Sequence, residues 1–218
     1  MSSFPLTIAG ERLLLLPQKA IYWPVEKMLI IADIHFGKAG AFRARGVPVP
    51  GGTTGQNLAT LEALMANHDV QHMLFLGDFL HAKSIAGATL REMQAWRDRH
   101  PQLQLTLVRG NHDLKAGDPP PGLRMHVVDE PYAVRGFAFC HHPSIASDAY
   151  VMAGHVHPAY RLSSRYESLR LPCFVIGRSR GILPSFGAFT GAYTITQQDD
   201  EKIFVVADDA VIAINGGE

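Results

Sequence analysis

The sequence is poor in the features that mark secreted, membrane-spanning and strongly charged proteins. Its two cysteines, Cys140 and Cys173, are too few for a disulfide framework and do not form the closely spaced pair of a zinc or redox motif. No apolar stretch approaches the roughly 20 residues that a membrane helix needs, and the first residues lack the basic start and apolar core of a secretory signal. We therefore expect one cytoplasmic domain over residues 1–218, in which 47% hydrophobic residues can form a substantial core.

An excess of either charge is also missing, because 20 basic residues balance 20 acidic ones. The total charge therefore gives no sign of a nucleic-acid partner. Two segments are nevertheless locally basic: residues 34–61 contain Lys38, Arg43 and Arg45 and no acidic residue, and residues 161–180 contain five arginines against one glutamate. Such segments are usually solvated faces, but two of them beside one site would guide a phosphate backbone. The five arginines are Arg161, Arg165, Arg170, Arg178 and Arg180.

The sequence does contain a series of short polar clusters, each directly after an apolar run. The apolar runs occupy residues 28–32, 73–76, 105–108, 137–140 and 149–153. The clusters that follow them are Asp33-Ile34-His35, Gly77-Asp78, Gly110-Asn111-His112-Asp113, His141-His142 and Gly154-His155-Val156-His157. Each run has the length and apolarity of a buried strand, so five strand ends would bring polar groups to one rim.

Each cluster has an ordinary structural explanation when it is taken alone. An Asp-x-His or Gly-Asp sequence after a strand is more often a turn or a helix cap, and Gly-Asn suits a tight turn. The Gly-His-x-His sequence is more specific, because two imidazoles two residues apart share one face of an extended segment. Together the clusters supply carboxylate, amide and imidazole groups without thiolate, which suits Mn, Fe, Zn or Ni. The pattern predicts a metal-dependent hydrolase.

The ordered set resembles the calcineurin-like metallophosphoesterase superfamily, whose motifs are D-x-H, G-D, G-N-H-[DE], H and G-H-x-H. All of these motifs are present between residues 28 and 157. The sequence is similar in particular to one bacterial branch, the ligase-associated DNA damage response endonucleases (PdeM-like phosphoesterases). The second resemblance rests on residues 32–50 (ADIHFGKAGAFRARGVPVP), 76–81 (LGDFLH) and 183–191 (LPSFGAFTG).

The superfamily resemblance implies a layered α/β fold, an αββα sandwich with two facing mixed β-sheets. It also implies two divalent metal ions, with Mn²⁺ expected first and Fe, Zn or Ni as alternatives, and Asp78 as the carboxylate shared between them. His112 is left without a ligand role beside Asn111, where an imidazole can protonate a departing oxygen. By the same resemblance, the first metal ion is bound by Asp33, His35, Asp78 and His157, and the second by Asp78, Asn111, His141 and His155.

Two histidine positions leave alternatives open. His141 and His142 are adjacent and would face opposite sides of an extended strand; in similar sequences the ligand lies two residues before a proline, which favours His141. His81 lies three residues after Asp78, where the superfamily's protein phosphatases carry an aspartate. Its double-strand-break repair nucleases resemble this chain in carrying a histidine there. We therefore expect His81 to assist catalysis on phosphodiesters, with an ordinary surface histidine as the alternative.

Three functional hypotheses remain. The first is a Mn-dependent phosphodiesterase that acts on DNA as a repair endonuclease, with a DNA ligase and a helicase or nuclease as the partners that the branch implies. The second is a phosphoesterase for a small nucleotide or a phosphorylated metabolite. The third is a metal-free interaction module, which the complete ligand set disfavours. An open groove lined by Arg43, Arg45, Arg178 and Arg180 would favour DNA, and a closed pocket would favour a small molecule.

The other segments predict the elements around these motifs. Residues 6–32 predict a short meander, and residues 36–55, rich in Gly and Pro, predict a long loop over the site. A helix is expected from Thr54, capped by Thr53 or Thr54, and a second one over residues 89–99. Short strands then continue as far as Ile214.

Overall fold

Two mixed β-sheets face each other in the computed structural model, which describes residues 2–49, 51–83, 85–163 and 167–214. The first sheet has seven strands in chain order. They are β1 (Phe4–Ile8), β2 (Glu11–Leu16), β3 (Ala20–Trp23), β4 (Met28–Ala32), β5 (His72–Leu76), β6 (Gln104–Val108) and β7 (His126–Val128). Strands β1 to β4 form the predicted meander with antiparallel pairing, whereas β4 to β7 are parallel neighbours.

The second sheet contains the strands that follow residue 130. They are β8 (Tyr132–Val134), β9 (Phe137–Phe139), β10 (Tyr150–Ala153), β11 (Pro158–Ser163), β12 (Ser168–Ile176), β13 (Arg180–Ile182), β14 (Tyr193–Thr194), β15 (Lys202–Ala207) and β16 (Ala210–Ile214). The strand order is β14-β11-β12-β13-β10-β9-β8, and β15 pairs with both β12 and β16. Strands β9, β10 and β13 are mutually parallel. The series of short strands ends at Ile214, as predicted.

The described helices all precede residue 124. They are α1 (Lys38–Ala44), α2 (Thr53–Asn67), α3 (Gly87–Arg99), α4 (Asn111–Ala116) and a 3₁₀ helix (Pro121–Leu123). Leu61 of α2 and Trp96 of α3 pack with Phe75 of β5 on the outer face of the first sheet. The described residues thus contain the two facing sheets and one helical layer of the predicted sandwich. None of the described helices combines the length and the apolar character that crossing a bilayer requires.

The central strands are apolar on both faces because both faces are covered. On β4, Leu29 and Ile31 point towards the helices, whereas Ile30 and Ala32 point towards the second sheet. This alternation follows from the two-residue period of a strand. Burial on both sides explains why the runs before the polar motifs are continuous rather than alternating.

Two local predictions were wrong. Residues 36–55 are not one long loop, because α1 occupies Lys38–Ala44; its Ala39 is buried, and the Phe42 and Phe189 ring centroids lie 5.6 Å apart. Pro50, in the same segment, lies outside the described residues. Helix α2 has Gly52 as its N-cap, in the left-handed conformation with φ 80°, so Thr53 is the first helical residue and neither threonine caps the helix.

All five apolar runs form strands, and the parallel pairing brings their carboxyl ends together. Strands β4, β5 and β6 are adjacent in the first sheet, and β9 and β10 are adjacent in the second. Backbone bonds join the two groups, because the Phe186 amide donates to Ala32 O at 2.8 Å and the Leu183 amide donates to Ala153 O at 2.8 Å. The polar motifs therefore meet at one rim shared by both sheets.

Candidate metal centre

The structure brings all seven predicted metal ligands together at this rim. They are Asp33 and His35 after β4, Asp78 after β5, Asn111 after β6, His141 after β9, and His155 and His157 after β10. Most are buried or half-buried, and His155 is exposed, so the rim is open to solvent on one side.

One group of ligand atoms surrounds Nε2 of His141. This nitrogen lies 2.9 Å from Asn111 Oδ1, 3.0 Å from His155 Nδ1 and 3.5 Å from Asp78 Oδ1. His141 Nδ1 donates to the Leu76 carbonyl at 3.1 Å, so Nε2 of the neutral ring is an acceptor. Several acceptors therefore point at one another, and a cation between them would satisfy all of them.

A second group surrounds Oδ1 of Asp33. His157 Nε2 lies 3.4 Å from this oxygen, and the ligand atoms of Asp33, His35 and His157 lie within 4.8 Å of one another. Asp33 Oδ1 is buried and has no hydrogen-bond partner among the described residues. A buried carboxylate oxygen without a donor is costly unless a cation binds it, so this group also fits a metal ion.

Asp78 lies between the two groups and offers one oxygen to each. Its Oδ1 lies 3.5 Å from His141 Nε2, and its Oδ2 lies 3.6 Å from His35 Nε2. The His112 amide also donates to Oδ1, at 2.9 Å, which fixes the orientation of the carboxylate. The geometry suits a carboxylate that bridges two cations.

A backbone contact aims the His157 imidazole, and the His155 imidazole differs from it in protonation. His157 Nδ1 donates to the Gly191 carbonyl at 3.0 Å, which leaves Nε2 directed at Asp33. Burial disfavours the charged ring, but the nearby Asp33 carboxylate outweighs this effect and raises the pKa of His157. His155 differs, since burial lowers its pKa and keeps the ring neutral at pH 7, the form that binds metals.

Glycine residues in the motifs make room for the ligands. A Cβ atom on Gly77 would overlap the His141 ring, and one on Gly110 would lie 2.5 Å from the Asp78 amide nitrogen. A Cβ atom on Gly154 would lie 2.5 Å from Asp33 Oδ2. These separations are far below a normal van der Waals contact, so each glycine is a steric requirement of the site.

The sequence matches the family model described as calcineurin-like phosphoesterase over residues 26–170. The chain belongs to the calcineurin-like phosphoesterase family. Among solved structures it is similar to the Pseudomonas putida nuclease MPE, with 43% identity and a TM-score of 0.87, over 98% of this chain and 100% of that one. It is also similar to a protein of unknown function, AQ665 from Aquifex aeolicus, with 18% identity and a TM-score of 0.40, over 60% of this chain and 78% of that one. No curated protein matches the chain.

His141 and His142 do not face opposite ways, although His141 is the more central of the two. Strand β9 ends at Phe139, so the alternation expected of a strand no longer applies at these positions. His141 is fully buried, whereas His142 is half-buried and bonds Glu130 Oε1 through Nδ1 at 2.7 Å. The His142 ring still lies 4.5 Å from the His155 ring. His142 thus borders the group around His141 Nε2, a position that the sequence argument missed.

Two further histidines of this phosphoesterase lie beside the ligands. The rings of His81 and His112 are stacked at 4.8 Å, and the His112 ring lies 5.2 Å from that of His35. His112 Nδ1 donates to the His81 carbonyl at 3.0 Å. Burial, with the charges of His112, Lys38 and Arg45, lowers the pKa of His81 to about 4. His81 is therefore half-buried and in contact with His112, and its role in the reaction stays a prediction.

Lys38, the first residue of α1, is a site residue that the sequence argument treated only as part of a basic segment. It is half-buried; burial lowers its pKa, while the charges of Asp78 and Asp33 act in the opposite direction. Burial is the largest cause of the low pKa of His35, and the charge of Lys38 is the next largest. A signal was present in the sequence, since Lys38 follows His35 by three residues.

The four arginines singled out from the sequence do not line one groove. Arg45 acts on His81 through its charge, and Arg43 donates to the Val49 carbonyl at 3.4 Å. Arg178 instead lines a separate cavity with Tyr150, at the amino end of β10, and Arg180 pairs with Glu201 at 3.9 Å. Of these four described arginines, Arg45 is thus the one that acts on a histidine beside the proposed ligands. Arg165 of the second segment lies outside the described residues.

Proposed function

We propose that the protein is a phosphodiesterase with two divalent metal ions that cuts DNA as an endonuclease in DNA repair, with Mn²⁺ as its metal. One observation carries the proposal: the two oxygens of Asp78 point to two separate groups of ligand atoms, at 3.5 Å and 3.6 Å. The similarity to a nuclease at 43% identity over nearly the whole chain favours a nucleic-acid substrate.

The proposed ligand set follows from the two groups. The first metal ion would be held by Asp33, His35, Asp78 and His157, and the second by Asp78, Asn111, His141 and His155. When bound, two such ions lower the pKa of a water molecule and neutralise the non-bridging oxygens of a phosphodiester. Carboxylate, amide and imidazole ligands without thiolate suit Mn²⁺ or Fe, with Zn or Ni as alternatives.

The departing oxygen needs a proton, which we assign to His112. Its Nδ1 donates to the His81 carbonyl, so the proton must come from Nε2 of the imidazolium form, and the ring is left neutral once the departing oxygen has taken that proton. His112 follows the ligand Asn111 directly, and its ring borders that of His35. The stacked His81 ring holds His112 in this orientation, so we assign His81 a positioning role in the reaction.

The decisive experiment compares two substrates. Purified protein is freed of metal with a chelator, reloaded with Mn²⁺, and assayed on plasmid DNA and on bis(4-nitrophenyl) phosphate. We expect both activities to vanish without metal and to return with Mn²⁺. Turnover of the aryl ester without any DNA cleavage would instead favour a small nucleotide or phosphorylated metabolite as the substrate. Full hydrolysis of either substrate by metal-free protein would overturn the metal mechanism.

The proposal also includes a cellular location and protein partners for the enzyme. We expect the enzyme to act in the cytoplasm together with a DNA ligase and a helicase or nuclease, which rests on the resemblance to the ligase-associated branch. Affinity purification of the tagged protein from its own cells after DNA damage would test the association. Recovery of neither class of enzyme would contradict it.

A further inference from the structure

We propose that one face of α1, formed by Lys38, Phe42 and Arg45 and here called the α1 face, binds the part of the DNA strand that leaves with the departing oxygen. The inference rests on the proposed nuclease function and deepens it. It assigns the phosphate contact to Lys38, a base contact to Phe42 and a backbone contact to Arg45.

Helical spacing places the three side chains on one side of α1. Phe42 follows Lys38 by four residues and Arg45 follows Phe42 by three, and residues at these separations are neighbours on a helix surface. Ala39, three residues before Phe42, is buried and anchors this part of the helix against the protein, whereas Lys38 and Phe42 are only half-buried and Arg45 is exposed. The α1 face therefore remains available to a ligand.

Ring contacts show which part of the site this face borders. The Phe42 ring lies 6.1 Å from His81 and 5.6 Å from Phe189, and His81 is stacked on His112. Phe42 and Phe189 are both half-buried, so their rings keep some exposed surface. The His35 ring lies 5.2 Å from His112 and 5.5 Å from His81, so it borders both rings of the stacked pair, and Phe42 borders the His81 ring of that pair.

The charges on the α1 face suit a phosphate backbone. Lys38 and Arg45 both act on His81 through their positive charges, and within the described part of the chain neither side chain forms an ion pair or a hydrogen bond. Lys38 is half-buried close to Asp33 and Asp78, where its ammonium can reach the same phosphate as the metal ions. Arg45 is exposed at the far end of the helix and can reach a neighbouring phosphate.

The role of His112 determines which part of the DNA, relative to the cleaved phosphate, meets the α1 face. The departing oxygen must lie next to the group that protonates it, so the chain attached to that oxygen leaves the centre past His112 and His81. The next surface in this direction is Phe42, where a base can stack on an aromatic ring. A nitrophenyl leaving group is too short to need this surface.

The test compares Phe42→Leu, Phe42→Trp and Arg45→Ala with the control Arg43→Ala, an exposed arginine of the same helix that bonds Val49. The value of kcat/KM is measured on an oligonucleotide and on bis(4-nitrophenyl) phosphate with Mn²⁺. We expect Phe42→Leu and Arg45→Ala to lose about tenfold more on DNA than on the aryl ester. Phe42→Trp should retain DNA cleavage, and Arg43→Ala should match the wild type on both substrates.

Two further measurements separate a binding role from a structural one. The slope of log(kcat/KM) against log[salt] should become shallower by about 0.7 in Arg45→Ala, the value for one lost phosphate contact on a single strand. An oligonucleotide ending in a 5′-nitrophenyl phosphate, whose leaving group is nitrophenolate, should be hydrolysed with little loss by Phe42→Leu.

The outcomes also distinguish this inference from the proposed function. If wild-type protein fails to cut DNA, the nuclease function is wrong. If it cuts DNA but Phe42→Leu and Arg45→Ala lose DNA and aryl-ester activity equally, the nuclease function stands and the α1 face does not bind the strand. Equal losses on the 5′-nitrophenyl oligonucleotide and on DNA would overturn the assignment to the leaving side.

Discussion

At the scale of single residues, the proposed ligands occupy backbone conformations that most side chains avoid. Asp33, His35, Asp78, His155 and His157 all have positive φ, between 48° and 69°. The left-handed region costs roughly 1–2 kcal/mol for a residue with a Cβ atom, and Asn, Asp and His are the non-glycine residues found there most often. Such strain persists where the surrounding structure enforces it, which is common at functional sites. The sharp turns after the strands are what aim several ligands at one point.

The glycine before Asp78 gives the first prediction. Gly77→Ala should reduce metal content and lower the free energy of unfolding by clearly more than the matched change Gly10→Ala. Both glycines are left-handed, with φ 75° and 81°, but a Cβ atom at Gly10 has nothing within 4 Å, whereas one at Gly77 meets the His141 ring. Gly10→Ala should lose only about 1 kcal/mol, from backbone strain. Urea unfolding and elemental analysis provide the measurements, and equal effects of the two changes would refute the steric argument.

The second prediction concerns His112. His112→Ala should keep both metal ions but lose roughly 10²–10⁴ in turnover of DNA, the usual contribution of a positioned acid. The loss should be smaller on bis(4-nitrophenyl) phosphate, because nitrophenolate leaves without a proton. Steady-state kinetics of wild type and variant on both substrates, with metal content measured in each, checks the difference. Equal losses would remove the general-acid role and leave His112 as a phosphate-binding residue.

The sequence was sufficient to predict that the seven proposed metal ligands would lie together, because each of them lies in a short motif directly after an apolar run. The sequence was not sufficient to predict which other side chains lie beside these ligands. The direction of the His142 side chain is not set by the alternation of side chains along a β-strand, because β9 ends at Phe139, before His142. The position of Lys38 beside Asp33 and Asp78 depends on α1, whose existence was not predicted.

At the scale of elements, the site is held together by loops that join neighbouring strand ends. Asp113, in the first turn of α4, accepts the amides of Phe79 and Leu80 at 3.0 and 3.1 Å through Oδ1, and that of Gly110 at 2.9 Å through Oδ2. It therefore ties the loop after β5 to the loop after β6. Burial raises the pKa of Asp113 to about 6, although these backbone donors act in the opposite direction. The carboxylate is thus the main form at pH 7.

This arrangement gives the third prediction. Asp113→Asn should lower the free energy of unfolding by about 1–3 kcal/mol, because the new amide would face a backbone N–H that then lacks an acceptor. Asp69→Asn, which breaks an exposed ion pair with Lys27, should lose at most about 1 kcal/mol. Chemical unfolding at pH 7 measures both. A smaller effect at Asp113 than at Asp69 would show that the link between the two loops is unimportant.

Elements with strong local patterns were predicted, and elements that depend on tertiary contacts were not. Helix α3 was expected over residues 89–99 and begins only two residues earlier, at Gly87. Helix α1 was missed because its surroundings contain Gly37, Gly46 and Pro48, which favour turns, and because it is only seven residues long. Its contacts with Phe189 and His81 come from segments distant in the sequence.

At the scale of the whole molecule, the site exists because two β-sheets, each with its own strand pairing, meet at one rim. The first sheet is built from strands in chain order, as local reasoning can anticipate. The second inserts β13 between β10 and β12 and adds β15 to β12, an order set by long-range pairing that no local pattern encodes. The apolar core between the sheets, with Trp23 against Phe137 at 5.1 Å, fixes their relative position and hence the spacing of the ligands.

The central claim is that Asp78 is shared by two metal ions, and metal content tests it most directly. Elemental analysis after Mn²⁺ loading and removal of free metal should give about two equivalents per chain for the wild type. Asp78→Ala should lose both, because each group loses its shared oxygen. His35→Ala should lose mainly one, and circular dichroism should confirm that both variants remain folded. Two equivalents retained by folded Asp78→Ala would contradict the account.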